Sequence, residues 1–351
     1  MSSPYLIYGA TGYTGALTAR LAVERGEKPI LGGRNEQALA AIAGELKLPF
    51  RTVGLEDPQA LDSALQGMKA VLHCAGPFSA TSRPMADACL RAKTHYLDIT
   101  GEATVFEALR ARSGEARAAG VMLLPGAGFD VVPSDCLAAH LKRRLPSARR
   151  LALGFQLTGR LSRGTATTML ENIGRGGLVR RGGVLTPVPA AWRTRVIDFG
   201  RGPRTAMTIP WGDVSTAYHS TGIPDIEVYM SAPLSLRVGS RALRFLGPLL
   251  GTAPAQALLK KRIRSGPAGP SDEERARGRS LLWGEAKDDE GRTAVSRLAG
   301  PEGYTLTALT SLLMVGKVLA GQARPGFQTP STAYGPDLVL EVAGVTRSDE
   351  G

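Results

Sequence analysis

A regular alternation of short apolar runs and helical segments over the first 130 residues is the strongest constraint on how this chain folds. Strand-like runs occupy residues 5–8, 29–31, 50–53, 70–74, 96–99 and 121–124, and helical patterns lie between them. Short continuous apolar strands that alternate with amphipathic helices are typical of a parallel sheet covered on both faces. The sequence therefore predicts an α/β fold that begins with a doubly wound parallel sheet over residues 1–132.

The pattern changes after the glycine-rich segment 125–128. Residues 133–351 begin with a helix at Pro133 and continue in irregular, strand-rich stretches, with a hairpin around residues 289–291. An apolar helix over 304–320 and a last strand over 338–342 end the chain. We predict a second domain of mixed α+β structure over 133–351, and the final helix and strand either stay with it or pack back on the first domain.

Composition excludes several classes of protein. Of the 351 residues, 43% are hydrophobic and 21% are charged, which is sufficient for packed cores and unlike a disordered chain. No run approaches the roughly 18 apolar residues of a membrane span, and the N-terminus lacks the features of a signal peptide, so a cytoplasmic protein is expected. The three cysteines, Cys74, Cys89 and Cys136, are too scattered for a disulfide framework or a zinc site, and no metal is expected.

A G-x-x-G-x-x-G pattern, Gly9-Ala10-Thr11-Gly12-Tyr13-Thr14-Gly15, follows the first strand and opens the first helix. In this setting Gly9 permits a tight turn, Gly12 lets backbone amides approach a pyrophosphate, and Gly15 lets the helix pack against the strand. The helix N-terminus adds N–H groups that lack backbone partners and the positive end of the helix dipole. The pattern predicts a Rossmann domain that binds a dinucleotide.

The end of the second strand indicates which dinucleotide binds. Sites that prefer NAD carry an acidic residue about 20 residues past the glycines, where it contacts the ribose hydroxyls. This chain has Gly32-Gly33-Arg34-Asn35 at that place, and an arginine cannot accept a hydrogen bond. The planar guanidinium of Arg34 instead suits a 2′-phosphate, so we predict NADP as the cofactor, with NAD as the alternative.

Three further strand ends lie at the edge of the sheet where a dinucleotide would bind. Ala75, Gly76 and Pro77 follow the fourth strand, and such small residues let the backbone pass close to the second half of the cofactor. Asp98 ends the fifth strand, and Asp130 follows the sixth. Carboxylates at this edge are candidates for acid–base catalysis, and helix capping or another structural role is the alternative.

The net charge of +12 is concentrated between Lys142 and Arg204, a span with fourteen Lys or Arg residues and two acids. Such an excess favours an anionic partner. The alternatives are a phosphate-bearing substrate, an acidic carrier protein and a membrane surface. No nucleic-acid-binding motif accompanies the charge, so nucleic acid is not expected as a partner. Residues 243–263 mix apolar and basic side chains, which fits either peripheral membrane contact or a core helix with a basic edge.

Taken together, these motifs resemble the saccharopine dehydrogenase-like oxidoreductases, a group that includes trans-acting enoyl reductases. The resemblance is carried by residues 9–15, 32–35, 74–78, 96–102, 125–135, 211–222 and 326–331. It implies an N-terminal NAD(P)-binding Rossmann domain and a C-terminal domain that forms one wall of the active cleft. The residues expected to contact the cofactor are Gly9, Ala10, Thr11, Gly12, Tyr13, Thr14, Gly15, Arg34, Ala75, Gly76 and Pro77.

The resemblance assigns no catalytic residue, so the candidates come from residue chemistry. His219, in the segment 218–222, is able to deliver a proton when hydride is added to a C=C, C=N or C=O bond. The alternative for His219 is a lone histidine in a loop or strand with no catalytic role. The candidate catalytic residues are therefore His219, Asp98 and Asp130.

Three functions stay open on this basis. The first is an NADP-dependent oxidoreductase, such as an enoyl reductase that acts in trans on a carrier-bound or lipid-like substrate. The second is an amino-acid or imino-acid dehydrogenase, which needs no carrier. The third is a dinucleotide-binding sensor or scaffold without turnover. A homodimer is the expected assembly on general grounds alone.

Overall fold

The computed structural model describes residues 5–157, 160–171, 176–240, 252, 259, 261–263 and 265–350. The chain divides into two compact units. Unit 1 comprises Met1–Val132 and Tyr304–Tyr334, and unit 2 comprises Pro133–Gly303 and Gly335–Gly351. The apolar helix near the C-terminus therefore packs with the first unit, as do the residues after it up to Tyr334, whereas Gly335–Gly351 belong to the second.

Unit 1 is built on a parallel sheet formed by the predicted apolar runs. Its strands are β1 (Tyr5–Tyr8), β2 (Ile30–Gly33), β3 (Phe50–Thr52), β4 (Ala70–His73), β5 (His95–Asp98), β6 (Met122–Leu124) and β15 (Gly326–Phe327). They lie in the order β15-β6-β5-β4-β1-β2-β3, and each neighbouring pair is parallel. The strand order reverses between β1 and β4, where doubly wound sheets bind ligands. The predicted Rossmann sheet is confirmed, and β15 adds a strand to it from far along the chain.

The helices of unit 1 pack on this sheet. They are α1 (Tyr13–Glu24), α2 (Glu36–Leu46), α3 (Pro58–Leu65), α4 (Phe78–Ala92), α5 (Ala103–Ala111), α6 (Ser113–Ala119), α11 (Gly303–Leu319) and α12 (Pro330–Tyr334). The strand register aligns Leu6, Val71, Tyr96 and Leu123 in one row, and all four are fully buried in the core. Residues 103–119 form two helices, since α5 ends at Ala111, with Arg112 as its C-cap residue, and α6 begins at Ser113.

Unit 2 is built on a mixed sheet, as the predicted α+β domain requires. Its strands are β7 (Arg150–Leu157), β8 (Gly177–Arg181), β9 (Val184–Val188), β10 (Thr194–Asp198), β11 (Pro203–Thr208), β12 (Asp225–Ser231), β13 (Arg279–Lys287), β14 (Thr293–Pro301) and β16 (Thr346–Glu350). The main order is β10-β11-β12-β7-β13-β14-β16, and β8 pairs with both β12 and β9. Strands β7 and β12 are parallel, whereas the predicted hairpin β13–β14 is antiparallel. The helices of this unit are α7 (Val132–Arg144), α8 (Arg163–Glu171), α9 (Asp213–Thr221) and α10 (Asp272–Arg277).

The predicted last strand over 338–342 is wrong. Residues Leu338–Glu341 form a 3-10 helix, and Leu338 and Val339 are buried. The strand near the C-terminus is β16, which pairs antiparallel with β14. A short apolar run cannot by itself distinguish a strand from a buried helical turn, and this explains the error.

Other expectations concern membranes and metals. In the described parts of the chain, no helix is long and apolar enough to cross a membrane. Most of the segment 243–263, for which peripheral membrane contact and a core helix with a basic edge were the alternatives, lies outside those parts. Among the same described residues, no group of three His, Cys, Asp or Glu side chains is arranged to hold a metal ion. Cys74, Cys89 and Cys136 are free thiols.

Candidate active site

The loop after β1 folds as a tight turn that only glycine can make. Gly9 has a φ of +85°, and its N–H donates to the carbonyl oxygen of Gly32 at 2.8 Å. A Cβ atom at Gly9 would lie 2.8 Å from the backbone nitrogen of Ala75, because the loop after β4 passes directly beside it. The turn therefore brings the ends of β1, β2 and β4 together at the point where the strand order reverses.

The start of α1 is shaped to receive an anion. Gly12 is the N-cap residue, no side chain caps the helix, and its first turn carries no acidic residue. A Cβ atom at Gly15 would overlap the carbonyl oxygen of Gly9 and lie 2.9 Å from its carbonyl carbon. The helix therefore begins directly against the turn, where its N-terminal dipole and amides face the carboxyl edge of the sheet. The glycine positions of this loop leave room for the pyrophosphate of a dinucleotide.

Arg34 follows β2 at the position that discriminates between NAD and NADP. Its side chain is exposed, and it forms no ion pair with any residue that the structure describes. Next to it, Asn35 caps α2 by accepting from the Ala38 N–H at 3.0 Å. Burial raises the pKa of the Tyr8 hydroxyl to about 12, and the positive charge of the nearby Arg34 acts to lower it. The slot therefore contains a guanidinium with no carboxylate bound to it, which fits a 2′-phosphate.

The loop after β4 is held in place by a carboxylate from the next strand end. Glu102 accepts hydrogen bonds from the N–H groups of Phe78 and Ser79 at 2.8 and 3.1 Å, at the start of α4. These bonds anchor Ala75–Pro77, the segment predicted to contact the cofactor. His73, at the end of β4, is fully buried, and burial lowers its pKa to about 3. Its imidazole is therefore neutral at physiological pH and belongs to the core.

Asp98 links the ends of β5 and β6. Its carboxylate accepts from the Tyr96 hydroxyl at 2.6 Å and from the N–H groups of Thr100 and Gly126, each at 2.9 Å. Burial raises the pKa of Asp98 to about 6, although these hydrogen bonds act in the opposite direction. With three donors on a fully buried carboxylate, the arrangement holds two loops together. The predicted catalytic role of Asp98 stays a prediction.

Asp130 lies at the same edge of the sheet, in the loop after β6. It packs against Gly101, where a Cβ atom would lie 2.9 Å from Oδ2 of Asp130. Burial raises the pKa of Asp130 to about 7. A carboxyl group with this pKa exchanges between its acidic and basic forms near neutral pH, which is what proton transfer requires. The structure thus brings two of the three predicted catalytic candidates to adjacent strand ends.

Helix α11 contributes to this edge in a way that the sequence did not predict. Thr307 Oγ1 accepts from the Phe129 N–H at 3.0 Å, and the ring of Tyr304 packs edge-on against Tyr13 at a centroid distance of 5.1 Å. The spacing of Thr307, Thr310 and Ser311 on one side of an apolar helix is the signal that could have pointed to a polar contact here. No local pattern identifies the loops that they contact.

His219 lies in unit 2. It is in the last turn of α9 rather than in a loop or strand, because the segment from Asp213 to Thr221 is helical and ends at Gly222, which has a left-handed conformation. Its ring is half-buried and packs against Tyr218, with the ring centroids 5.5 Å apart. The catalytic role of His219 stays a prediction.

The basic region of unit 2 is largely engaged with its own acids. Of the fourteen Lys and Arg residues in the span 142–204, eight form ion pairs with carboxylates of the same unit, and Arg175 lies outside the described residues. The eight are Arg143, Arg144, Arg149, Arg150, Arg160, Arg181, Arg193 and Arg195. Arg201 and Arg204 are exposed and have no ion pair within the described parts of the chain. The charge open to an outside partner is therefore smaller than the sequence indicates.

These features define a Rossmann domain with a dinucleotide-binding edge, joined to a mixed-sheet unit. Residues 5–124 match the family model of the saccharopine dehydrogenase NADP binding domain. The N-terminal part of the chain is therefore similar to this family, which confirms the resemblance carried by its motifs. The match also confirms the predicted class of cofactor, NADP.

Trans-acting enoyl reductases from Mycobacterium leprae and Mycobacterium ulcerans are 32% and 30% identical to this chain, over 148 and 147 residues. The aligned region makes up 40% of this chain and 35% of each relative, so the chain matches about a third of their length. The fold is similar to that of apo saccharopine dehydrogenase (L-Glu forming) from Saccharomyces cerevisiae, with a TM-score of 0.66, 12% identity and 99% of both chains covered. At this identity the similarity establishes the fold alone.

Proposed function

We propose that this chain is an NADP-dependent oxidoreductase. The observation that carries the proposal is the pairing of an uncapped helix N-terminus, built from Gly9, Gly12 and Gly15, with the exposed guanidinium of Arg34 at the end of the neighbouring strand. The first feature fits a pyrophosphate, and the second fits a 2′-phosphate. When bound, NADPH supplies the hydride, and the residues of the chain hold the dinucleotide and handle the proton.

Asp130 is our candidate for the residue that handles the proton. Reduction of a double bond consumes one hydride and one proton, so a group that is protonated near neutral pH is required. Burial raises the pKa of Asp130 to about 7, and its carboxyl group lies at the carboxyl edge of the sheet. Asp98 is a weaker candidate because its carboxylate already accepts three hydrogen bonds. His219 is the candidate that unit 2 offers.

For the substrate, we propose an enoyl thioester presented on a carrier. The mycobacterial relatives are named trans-acting enoyl reductases, which supports this class of reaction. An acidic carrier protein needs basic side chains that are not already paired. Arg201, between β10 and β11, and Arg204, on β11, are both exposed and meet this need.

The experiment is a comparison of substrates in the presence of NADPH. The purified protein is mixed with an enoyl group on an acyl carrier protein, with the same enoyl group on free pantetheine, and with imino acids, and the loss of NADPH absorbance is followed. We expect the carrier-bound enoyl group to be reduced fastest, because the carrier adds binding energy through its charge. Reduction of imino acids instead would favour an amino-acid dehydrogenase. Binding of NADPH without reduction of any of these substrates would favour a sensor.

Two variants connect the activity to the proposed residues. Asp130→Asn removes the titrating carboxyl group, and we expect it to lower the reduction rate about 100-fold or more while NADPH binding is retained. The double variant Arg201→Glu/Arg204→Glu should raise the KM for the carrier-bound substrate and leave that for the pantetheine substrate unchanged. An equal effect on both substrates would contradict a carrier-docking role for these arginines.

A further inference from the structure

The first turn of α11 contacts the glycine loop through a pair of aromatic rings. The rings of Tyr13 and Tyr304 meet edge-to-face, with a centroid distance of 5.1 Å and an interplanar angle of 86°. Both side chains are half-buried. Tyr13 is the first residue of α1 and directly follows the N-cap residue Gly12. Tyr304 therefore packs on the one bulky side chain of the segment that is shaped to receive the pyrophosphate.

Helix α11 is also fixed to the loop after β6. Thr307 Oγ1 accepts from the Phe129 N–H at 3.0 Å, and the hydroxyl groups of Thr310 and Ser311 donate to the Ala127 carbonyl oxygen at 2.9 and 3.1 Å. The approach is close, since a Cβ atom at Gly128 would lie 2.8 Å from Cγ2 of Thr307. The side chains of Thr307, Thr310 and Ser311 are all buried. The start of this helix is thus a rigid support that joins the loops after β1 and β6.

The glycine loop is held at its start, where the Gly9 and Ala10 N–H groups donate to the Gly32 carbonyl oxygen, and it is open to solvent further along. Its three glycines have no side chains, and Thr11 and Gly12 are exposed. Glycine-rich segments lose more conformational entropy on ordering than other segments, and a ligand that binds such a loop must offset that cost. A contact that orders the loop beforehand therefore raises the affinity for the ligand.

We propose that Tyr304 is a positioning residue for the dinucleotide site: its ring holds Tyr13, and with it the first turn of α1, in the conformation that binds the pyrophosphate. The proposal rests on the proposed function in so far as the ligand is NADPH. It extends the site beyond residues 5–124, the segment that matches the NADP-binding family, to a helix near the C-terminus. The effect is attributed to the aromatic ring, which is the part of Tyr304 that contacts Tyr13.

The test uses three variants of the full chain. Tyr304→Leu removes the ring, and Tyr304→Phe retains it. Tyr334→Leu is the matched control, because Tyr334 is a half-buried tyrosine of the same unit whose ring packs against Lys317 and not against the glycine loop. Two quantities are measured for each: hydrogen exchange of amides 9–15 in the protein without nucleotide, and the Kd for NADPH from its fluorescence.

For Tyr304→Leu we expect exchange in the loop to be about 3- to 10-fold faster and NADPH binding about 3- to 10-fold weaker, as the usual strength of an aromatic pair implies. Tyr304→Phe and Tyr334→Leu should stay within about 2-fold of the wild-type protein in both quantities. A purely structural role would affect Tyr304→Leu and Tyr334→Leu alike.

The proposal is overturned if exchange in the glycine loop is the same in Tyr304→Leu and in the wild-type protein. It is also overturned if Tyr304→Phe behaves like Tyr304→Leu, since the ring would then not be the feature that matters. Failure of the wild-type protein to bind NADPH would contradict the proposed function instead. The exchange measurement would still test the contact in that case, because it needs no nucleotide.

Discussion

The two halves of the carboxyl edge of the sheet in unit 1 are built on opposite principles. In the half after β1, β2 and β4, close packing depends on glycines, because a Cβ atom at Gly9 or Gly15 would lie within 3 Å of neighbouring backbone atoms. In the half after β5 and β6, the decisive groups are the carboxylates Asp98, Glu102 and Asp130. The first half shapes a space for a ligand, whereas the second half positions charge.

This difference shows in which half the residue type alone is sufficient to infer a role. The absence of a Cβ atom permits close approach of the backbone whatever the surrounding side chains are. The function of the first half can therefore be inferred from the spacing of its glycines. A carboxylate takes its role from what it contacts. Glu102 caps a helix and Asp98 joins two loops, whereas burial raises the pKa of Asp130 to about 7. The same residue class thus occupies three different environments within a single edge.

The largest expected effect tests the first half. Gly9→Ala places a Cβ atom 2.8 Å from the Ala75 nitrogen at a φ of +85°, and we expect it to lower the free energy of unfolding by about 3–5 kcal/mol. Gly26→Ala is the control, because Gly26 has a φ of +77° but nothing within 4 Å of its Cβ position. It should cost about 1 kcal/mol. Equal costs in denaturant titrations would show that backbone strain, and not close approach, is what matters at Gly9.

The next effect concerns pH and the second half. The pKa of Asp130 in the folded protein is raised from 3.8 to about 7, so the folded state binds this proton more tightly than the unfolded state. Its contribution to stability therefore falls as the pH rises from about 4 to about 7. We expect Asp130→Asn to remove this dependence of stability on pH and to stabilise the protein at pH 8. The expected gain is about 1–3 kcal/mol, which is less than the full pKa shift implies because solvent screens the charge.

The measurement is the free energy of unfolding of Asp130→Asn and of the wild-type protein at several pH values. Glu24→Gln serves as a control, because Glu24 is an exposed carboxylate in the same unit. That variant should follow the wild-type curve. If Asp130→Asn also follows it, Asp130 does not titrate near neutral pH, and the proton-handling role assigned to it loses its basis.

A smaller effect links the two halves. Glu102→Ala leaves the Phe78 and Ser79 N–H groups without their acceptors, and we expect a loss of about 1–2 kcal/mol of stability. Glu102→Gln retains one acceptor oxygen and should lose about half as much. Because these bonds anchor residues 75–77, NADPH affinity should fall in the same order. An unchanged affinity in Glu102→Ala would separate the capping of α4 from the cofactor site.

The features that the sequence predicts well are local. The strand rhythm, the glycine turn and Arg34 each lie within a few residues of the structure that they determine. The contacts of Tyr304 with Tyr13 and of Thr307 with Phe129 join residues far apart in the chain, and no short pattern specifies such partners. These distant contacts connect α11 to both halves of the edge.

Two errors in unit 2 have a similar origin. The apolar run at 338–342 has no periodicity that separates a strand from a helical turn, and it forms a 3-10 helix. The hairpin β8–β9 was not predicted, although Gly182-Gly183 between two strand-like runs is a turn signal. The charge of the span 142–204 favours an anionic partner, which stays a prediction, and the acids that pair with this span come from residues 227–349.

The central claim is that this chain binds NADPH through the glycine loop and Arg34. The most direct test is to titrate the wild-type protein, Arg34→Gln and Arg25→Gln with NADPH and with NADH. Arg25 is an exposed arginine of the same unit at the far end of α1 and serves as the control. We predict that Arg34→Gln weakens NADPH binding about 10- to 100-fold and changes NADH binding less than about 2-fold, with Arg25→Gln like the wild-type protein. Equal weakening of both dinucleotides, or no binding of either, would contradict the claim.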